Sequence, residues 1–593
     1  MFKKNVVFAF LSLLVITSMV LTACGSTEPP PEPTKAAAEP AATEPLTPTK
    51  APEVTVPPEA GEPKVVTMTY FEEPDTMNSL YSGMWYADIT FDLFHLPMWL
   101  FDDKLEMVPE IAAEIPSMAN GGLSDDGLQV TIKFRPEVMW SDGTPMTAHD
   151  YVFTYDMIMD NGNAVQSRYP FDTFVESVTA LDDYTLQVDM NEPYAAWYIG
   201  LNIRPMPKHV FEPVFEAEGS IDNAEWNRNP TVGDGPFVLK EWKAASSLVF
   251  DANPNYWRGK PILDQILIRI TPDDEAQMAA IKTGDTDIGV NMMPSDKPDI
   301  DAIDNVELFF SGGGGWAESW FYNLVDEELA DETGIAPGHV ALRDKRVRQA
   351  LEHAINRQQI VDELFYGVYF VPKSFWYDTA FEHPDIEPRA YDPAAAEALL
   401  DEAGWVDSNG DGTRDKDGVE LVLRYSTTAG NELREAIQVV VQQSMAEIGV
   451  GMEILNYSYD VIWNGFGDGG PIAMGEYDIA EWSTQVTDYP DPNHVEYMCA
   501  EIPSQDYPAG NNWFGVCIEE LDALFQEQAV TMDTAARIEM FHEIQEIMFE
   551  EALWLGIRNG ADMWALNDRV KNVRFGADSF FNAFEWDVEN STD

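Results

Sequence analysis

The stretch EWSTQVTDYPDPNHV, residues 481 to 495, sets an aspartate, Asp488, directly ahead of Tyr489 and a Pro-Asp-Pro step. Two prolines make a stiff, non-helical corner that projects whatever precedes it. Asp488 is therefore either a turn residue or an anchor for a positively charged group. A second acidic stretch, DSNGDGTRDKDG at 407 to 418, places Asp407, Asn409 and Asp411 at alternate positions, with Gly412 for a sharp turn and Thr413 to lend a carbonyl. This is the first half of a calcium loop. Its twelfth position is Gly418 and not glutamate, so a bidentate ligand has to come from Asp415, Asp417, Glu420 or elsewhere. A structural Ca²⁺ is one reading and a plain Asp/Gly turn the other, and neither takes part in ligand binding. Of the three cysteines, Cys499 and Cys517 stand as a pair. In an exported protein such a pair forms a disulfide that stabilises by about 3 kcal/mol in the chain-entropy model; two buried free thiols are the alternative.

Catalytic signatures are missing from the chain. It has no metalloprotease histidine pair and no Gly-x-Ser-x-Gly elbow, and the SGGGG run at 311 to 315 lacks the Lys-Ser or Lys-Thr of a phosphate loop. The eight histidines show no ligand spacing, and acid pairs are too common here to mark a glycosidase dyad. The chain reads as no enzyme, and a secreted hydrolase is the alternative from another class. With 103 Asp plus Glu against 35 Lys plus Arg, the formal charge is −68. A polyanion needs cationic contacts, so nucleic acid is excluded as a partner. Such a surface steers cations, or simply keeps the protein dispersed.

The elements that must position these residues begin after a leader. MFKK supplies two positive charges, and the apolar run from Val6 to Leu21 is short for a bilayer span, which reads as an export signal over 1–23. It ends in LTACGS, whose Leu, two small residues and Cys resemble the lipobox of bacterial lipoproteins. That resemblance implies cleavage before Cys24 and its acylation, leaving a lipid tether. Residues 24–63 are Pro, Glu, Ala and Thr with almost no large apolar side chain, the composition of a disordered stalk. From Lys64 on, strand and helix signals alternate without a fixed repeat, so the body is mixed α/β, and 593 residues suit two or three domains. LQVTIKFR (128 to 135) places Leu128, Val130, Ile132 and Phe134 on one strand face, and YTLQVDM and QILIRI alternate likewise. Val347, Ala350, Leu351 and Ala354 recur at helical spacing. Asn356 with Gln359 forms a capping box for a helix through Phe365, and Asp392, Pro393 and Gly404 are N-cap, first turn and terminator of another.

Taken together, FRPEVMWSDGTPMTAHDYVFTYDMI (134 to 158), GDGPFVLKEW (233 to 242), FDANPNYWRGKPILDQILIRITPDDEAQMAAIKTGDTDIG (250 to 289), DKRVRQALEHAINRQQIV (344 to 361) and DYPDP (488 to 492) resemble the family 5 solute-binding proteins of ABC importers, the oligopeptide- and dipeptide-binding group. The segments follow the family's order and span nearly the whole body. The resemblance implies a periplasmic-binding-protein-like type II fold: two lobes, a hinge crossed twice, and an extra domain on the first lobe. The first lobe is expected at 64–98, 198–318 and 568–593, the extra domain at 99–197 and the second lobe at 319–567. It further implies that Asp488 receives a peptide α-ammonium group in the cleft, and that the loaded protein docks on permease subunits at the outer face of the cytoplasmic membrane. Trp482, Tyr489 and Trp316 are candidate cleft walls, with ordinary core packing as the alternative. An oligosaccharide receptor and a sensor lipoprotein are the other binding readings. Two departures stand out: Asp234 in GDGPF, where a small hydroxyl residue is common, and QVT before Asp488, where an aromatic residue is common.

Overall fold

The computed structural model describes residues 62–310, 316–377, 379–485 and 495–589. The leader, Cys24, nearly all of the stalk, the SGGGG run, Asp488 and Tyr489 lie outside them. No helix of the described residues is long and apolar enough to cross a membrane.

Two mixed sheets organise the body. The first has seven strands in the order Val306–Phe310, Met563–Asn567, Ile288–Val290, Val65–Tyr70, Gln265–Ile270, Ser247–Ala252, Phe237–Lys243. Val65–Tyr70 runs parallel to both its neighbours. The second has five, in the order Gly451–Ile454, Val422–Ser426, Ile479–Gln485, Trp316–Tyr322, Trp554–Gly560. The mixed α/β, two-lobed architecture agrees with the sequence reading. The chain enters the second sheet at Trp316 and has returned to the first by Met563. Met563–Asn567 pairs with strands some 250 residues or more away in the chain, which local patterning does not reveal.

A three-stranded sheet, Gln129–Lys133, Thr185–Met190, Val175–Asp182, belongs to the inserted segment. Its buried face, Val130, Ile132, Leu186 and Val188, belongs to the same apolar cluster as Val66, Met68 and Ile266 of the first sheet, so the insertion extends that core. Leu128 is a correction. It is 36% exposed, because the turn before it, with Asp126 accepting the Leu128 N–H, holds it outside the strand. The insertion is stapled to the first lobe by Trp257, whose ring lies between the guanidinium groups of Arg135 and Arg258, 4.3 and 4.2 Å from its centroid. Its indole N–H donates to the buried Glu110, which also pairs with Arg258.

Local signals recur in the helices. Asn356 accepts the Gln359 N–H at the start of Arg357–Leu364, and Asp392 accepts that of Ala395 at the start of Pro393–Ala403, which ends on Gly404 at φ 84°. Cys499 and Cys517 are disulfide-bonded.

The GDGPF departure has a structural role. Backbone N–H groups of Asp234 and Gly235 both donate to the Phe94 carbonyl at the end of helix Trp85–Phe94. A Cβ on Gly233 would lie 2.2 Å from that oxygen. Asp234, between the two glycines, is buried and accepts the Leu96 N–H, and burial pushes its carboxyl up to about 8 from the usual 3.8. The folded state therefore holds this proton more tightly than the unfolded chain. Its contribution to stability is complete below about pH 4 and is lost as the pH rises through about 8. Asp234→Asn keeps an acceptor for Leu96 and has no proton to lose. By calorimetry it is expected to raise the melting temperature at pH 8 and leave it near wild type at pH 4; equal shifts at both would overturn this assignment.

Candidate functional site

In open α/β sheets, ligands bind outside the carboxyl ends of the parallel strands. Here those ends face each other across the crossings. In the first sheet, Val290 at the end of Ile288–Val290 pairs with Trp564, and Phe310 pairs with Met563. In the second, Trp316 pairs with both Gln485, at the end of Ile479–Gln485, and Gly560. The return crossing, Ala561 and Asp562, thus joins the two carboxyl edges and forms the floor of a cleft.

The second-lobe wall is built on the antiparallel pair Trp316–Tyr322 and Ile479–Gln485. Strand alternation puts Trp316, Glu318 and Trp320 on one face, with Ser483 and Glu481 opposite Glu318 and Trp320. Glu318 is buried between two cations: Arg434 Nε donates to it at 2.8 Å and Arg558 lies 3.3 Å away, while Ser483 Oγ donates at 2.6 Å. Arg434 comes from the first turn of helix Glu432–Glu447, where Asn431 accepts its backbone N–H, and its guanidinium also reaches Thr428 and Ser483. Arg558 donates to the Trp316 carbonyl at 2.8 Å and lies over the rings of Phe365 and Tyr369. Behind this set, Trp320 Nε1 donates to the Tyr425 hydroxyl, which in turn donates to Glu481. Burial, reinforced by the Glu318 charge, pushes the Glu481 carboxyl well above its usual range, so it is held protonated.

The structure separates the two candidate tryptophans. Trp316 is 45% exposed at the cleft end of its strand. Trp482 pairs with Ser319 on the opposite face, where its ring stacks on Phe321 at 3.8 Å and meets Trp463 edge-on at 5.4 Å. The strand leading to Asp488 and Tyr489 ends at Gln485 on the cleft edge; those two residues lie beyond the described ones.

The first-lobe wall carries Tyr86 from the start of helix Trp85–Phe94, Glu72 just after Val65–Tyr70, Asn291 just after Ile288–Val290, and Asp562 on the crossing. Burial pushes the Asp562 carboxyl up to about 6. The lobes also touch away from the hinge: Ala195 N–H donates to the Ala529 carbonyl at 3.0 Å, and Met532 packs on the first core beside Gly127.

The candidate calcium loop is closed on itself. Asp407 accepts the N–H groups of Gly410 and Gly412, Asn409 that of Asp411, and Asp411 that of Thr413. Asp415 is engaged by Ser408. Among the described residues no three His, Cys, Asp or Glu side chains are grouped to hold a metal ion.

Sequence reasoning missed Glu318, Arg434, Arg558, Tyr86 and Asp562. One signal was present: Glu318 and Glu481 interrupt the apolar strands WAESWFY and IAEWSTQ, and a carboxylate inside such a strand needs a buried partner.

Residues 106–501 match the family of bacterial extracellular solute-binding proteins, family 5 middle. The chain is 30% identical over 390 residues to the oligopeptide-binding protein AppA of Bacillus subtilis, covering 64% of this chain and 66% of that protein, just under two thirds of its length. It is 25% identical over 459 residues to the nickel-binding periplasmic protein of Escherichia coli, covering 76% of this chain and 82% of that protein. The solved structure of the ABC transporter substrate-binding protein CtaP of Listeria monocytogenes matches with a TM-score of 0.73 at 22% identity, over 89% of this chain and 99% of that one. AppA of B. subtilis in complex with a nonapeptide matches with a TM-score of 0.65 at 23% identity, over 89% and 100%.

Removing one member of a buried ion pair strands the others. Glu318→Ala is expected to lower the unfolding free energy by about 3 to 5 kcal/mol in urea titrations at pH 7. Glu481→Gln, which mimics a carboxyl already neutral, is expected to change it by less than about 1 kcal/mol; comparable losses would show that Glu481 is ionised.

Proposed function

The chain belongs to the bacterial extracellular solute-binding proteins of family 5, and from that membership we propose that it captures peptides in the cleft between its lobes and delivers them to the permease of an ABC importer. The observation that carries this reading is the meeting of the two carboxyl edges at the return crossing, Ala561 and Asp562, about which the cleft shuts. The relationship to an oligopeptide-binding protein favours peptides over the nickel of the other relative, as does the absence of a metal-holding group among the described residues. A peptide of any sequence presents the same amides, so main-chain hydrogen bonds from strand edges supply affinity while roomy side pockets tolerate varied side chains.

Asp488, beyond the end of that strand, is the anchor for the peptide α-ammonium group. Inside a cleft that expels water on closing, a charge-assisted bond from the ammonium is stronger than in solvent. Closing over the carboxylate without a cation costs several kcal/mol, which rejects ligands lacking the amine. The leader, acylated Cys24 and the Pro-rich stalk tether the protein to the outer face of the cytoplasmic membrane, where the permease sits. The protein binds and releases its ligand without chemistry.

Titration calorimetry of the mature protein with a peptide pool and a glucan pool tests the ligand class. Heat with peptides alone is expected. Tight binding of amine-free oligosaccharide with no response to peptides would replace the reading by a sugar receptor, and turnover of either pool would make the protein a hydrolase. For the anchor, Asp488→Asn is expected to weaken free-amine peptides at least tenfold and to leave N-acetylated peptides, already poor ligands, nearly unchanged. Equal losses for both would assign Asp488 to the fold.

A further inference from the structure

The contact between the lobes away from the hinge is built with more care than a chance touch requires. Helices Glu519–Val530 and Thr534–Glu550 of the second lobe form a hairpin whose turn is Thr531, Met532 and Asp533. That turn is fixed from within its own lobe. Buried Gln528 accepts Nε and Nη2 of buried Arg537 at 2.9 and 2.7 Å, which ties the end of one helix to the start of the next, and Asp533 caps the second helix by accepting the Ala536 N–H. The last four carbonyls of a helix have no partner inside it. At the end of Glu519–Val530 the Thr531 hydroxyl donates to the Glu527 carbonyl and the Thr531 N–H to that of Gln528, but the Ala529 carbonyl takes its N–H from Ala195 of the inserted segment, 3.0 Å away. Met532 seats beside this bond. A Cβ on Gly127 would lie 2.8 Å from the Met532 Cγ and 3.2 Å from both its Sδ and the Pro193 Cβ, so a glycine at φ 68° leaves the room that the thioether fills. Met532 thus packs on the apolar cluster of the first lobe, although its two helices are built into a cluster of the second. One hydrogen bond, which water can replace, and one flexible, partly buried side chain make a contact weak enough to break and re-form.

We propose that the turn of Thr531, Met532 and Asp533 is a latch: it docks on Gly127, Pro193 and Ala195 when the cleft is shut and leaves them when the lobes swing apart. This rests on the reading of a cleft that closes on peptides and deepens it. Met532 then sets how tightly a peptide is held without touching it, because a ligand that favours the closed form gains the latch as well. Loss of the latch shows in the rate of release more than in the rate of capture.

The test reads the latch bond itself. Hydrogen exchange of the Ala195 amide is followed with and without a free-amine peptide taken from the bound fraction of the peptide pool, and the affinity and release rate of that peptide are measured for wild type and Met532→Ala. In wild type, exchange at Ala195 is expected to slow about tenfold or more when the peptide is added. Met532→Ala is expected to bind the peptide about three- to tenfold more weakly, through faster release, with the melting temperature of the ligand-free protein unchanged. A lower melting temperature with an unchanged release rate would make Met532 a packing residue and overturn the latch. Equal Ala195 exchange with and without peptide overturns it while leaving peptide capture intact, and so does a Met532→Ala affinity equal to or above that of wild type. If no peptide binds, the peptide reading falls, and the latch is decided in the ligand-free protein by Met532→Glu: faster Ala195 exchange than in wild type is expected, and equal exchange overturns it.

Discussion

Everything in this molecule hangs on how close the two sheets are held at their carboxyl edges. From Gly560, the last residue paired in the second sheet, to Met563, the first paired in the other, the chain takes three steps, which span at most about 11 Å. The lobes cannot separate along that line. A tether this short keeps the two edges together at that point, the kind of link about which lobes can turn. Gly560 is part of the constraint: a Cβ there would sit 2.4 Å from the Tyr369 ring, so the aromatic side chain packs directly on the hinge backbone. Tyr369 is packed against the apolar clusters of both lobes.

Above that floor the second-lobe wall is rigid for an electrostatic reason. Glu318 between Arg434 and Arg558 joins three elements, the strand Trp316–Tyr322, the strand Trp554–Gly560 and the helix Glu432–Glu447. None of these charges can be left alone in the interior without a large desolvation cost. Keeping Glu481 protonated is the economical arrangement, because a second carboxylate beside Glu318 would have to share the same two cations. The result is that the two strands and the helix of this wall are tied together by one buried charge cluster. A wall organised in advance loses little entropy on binding.

Short-range chemistry was legible in the sequence, and long-range pairing was not. Asn356, Asp392 and Gly404 do what their residue types predict, because a cap depends on three or four neighbours in the chain. Val130 and Ile132 are buried as their alternation requires, yet Leu128 in the same pattern is held out by a turn that begins four residues earlier. Trp316 and Trp482 look alike as candidate walls, but a register in which Ser319 opposes Trp482 puts them on opposite faces. That register is set by the pairing of strands more than 150 residues apart, which no window of sequence contains. Asp562 is the extreme case. Nothing in RNGADMW marks it; only the return of the chain between two sheets places it in the cleft.

The charge balance carries the argument about ligands one step further. The formal charge of −68 steers cations toward the protein, but at physiological salt its reach is about 8 Å, so it acts on encounter and not on choice. Five of the chain's arginines are spent inward. Arg204 pairs with Asp92 at 2.8 Å, Arg389 with Glu352 at 2.6 Å, Arg424 with Asp478 at 2.8 Å, and Arg434 and Arg558 flank Glu318. Each of those carboxylates is buried, so each arginine is fixed by the fold and is not free to meet an anionic group of a ligand without stranding its partner.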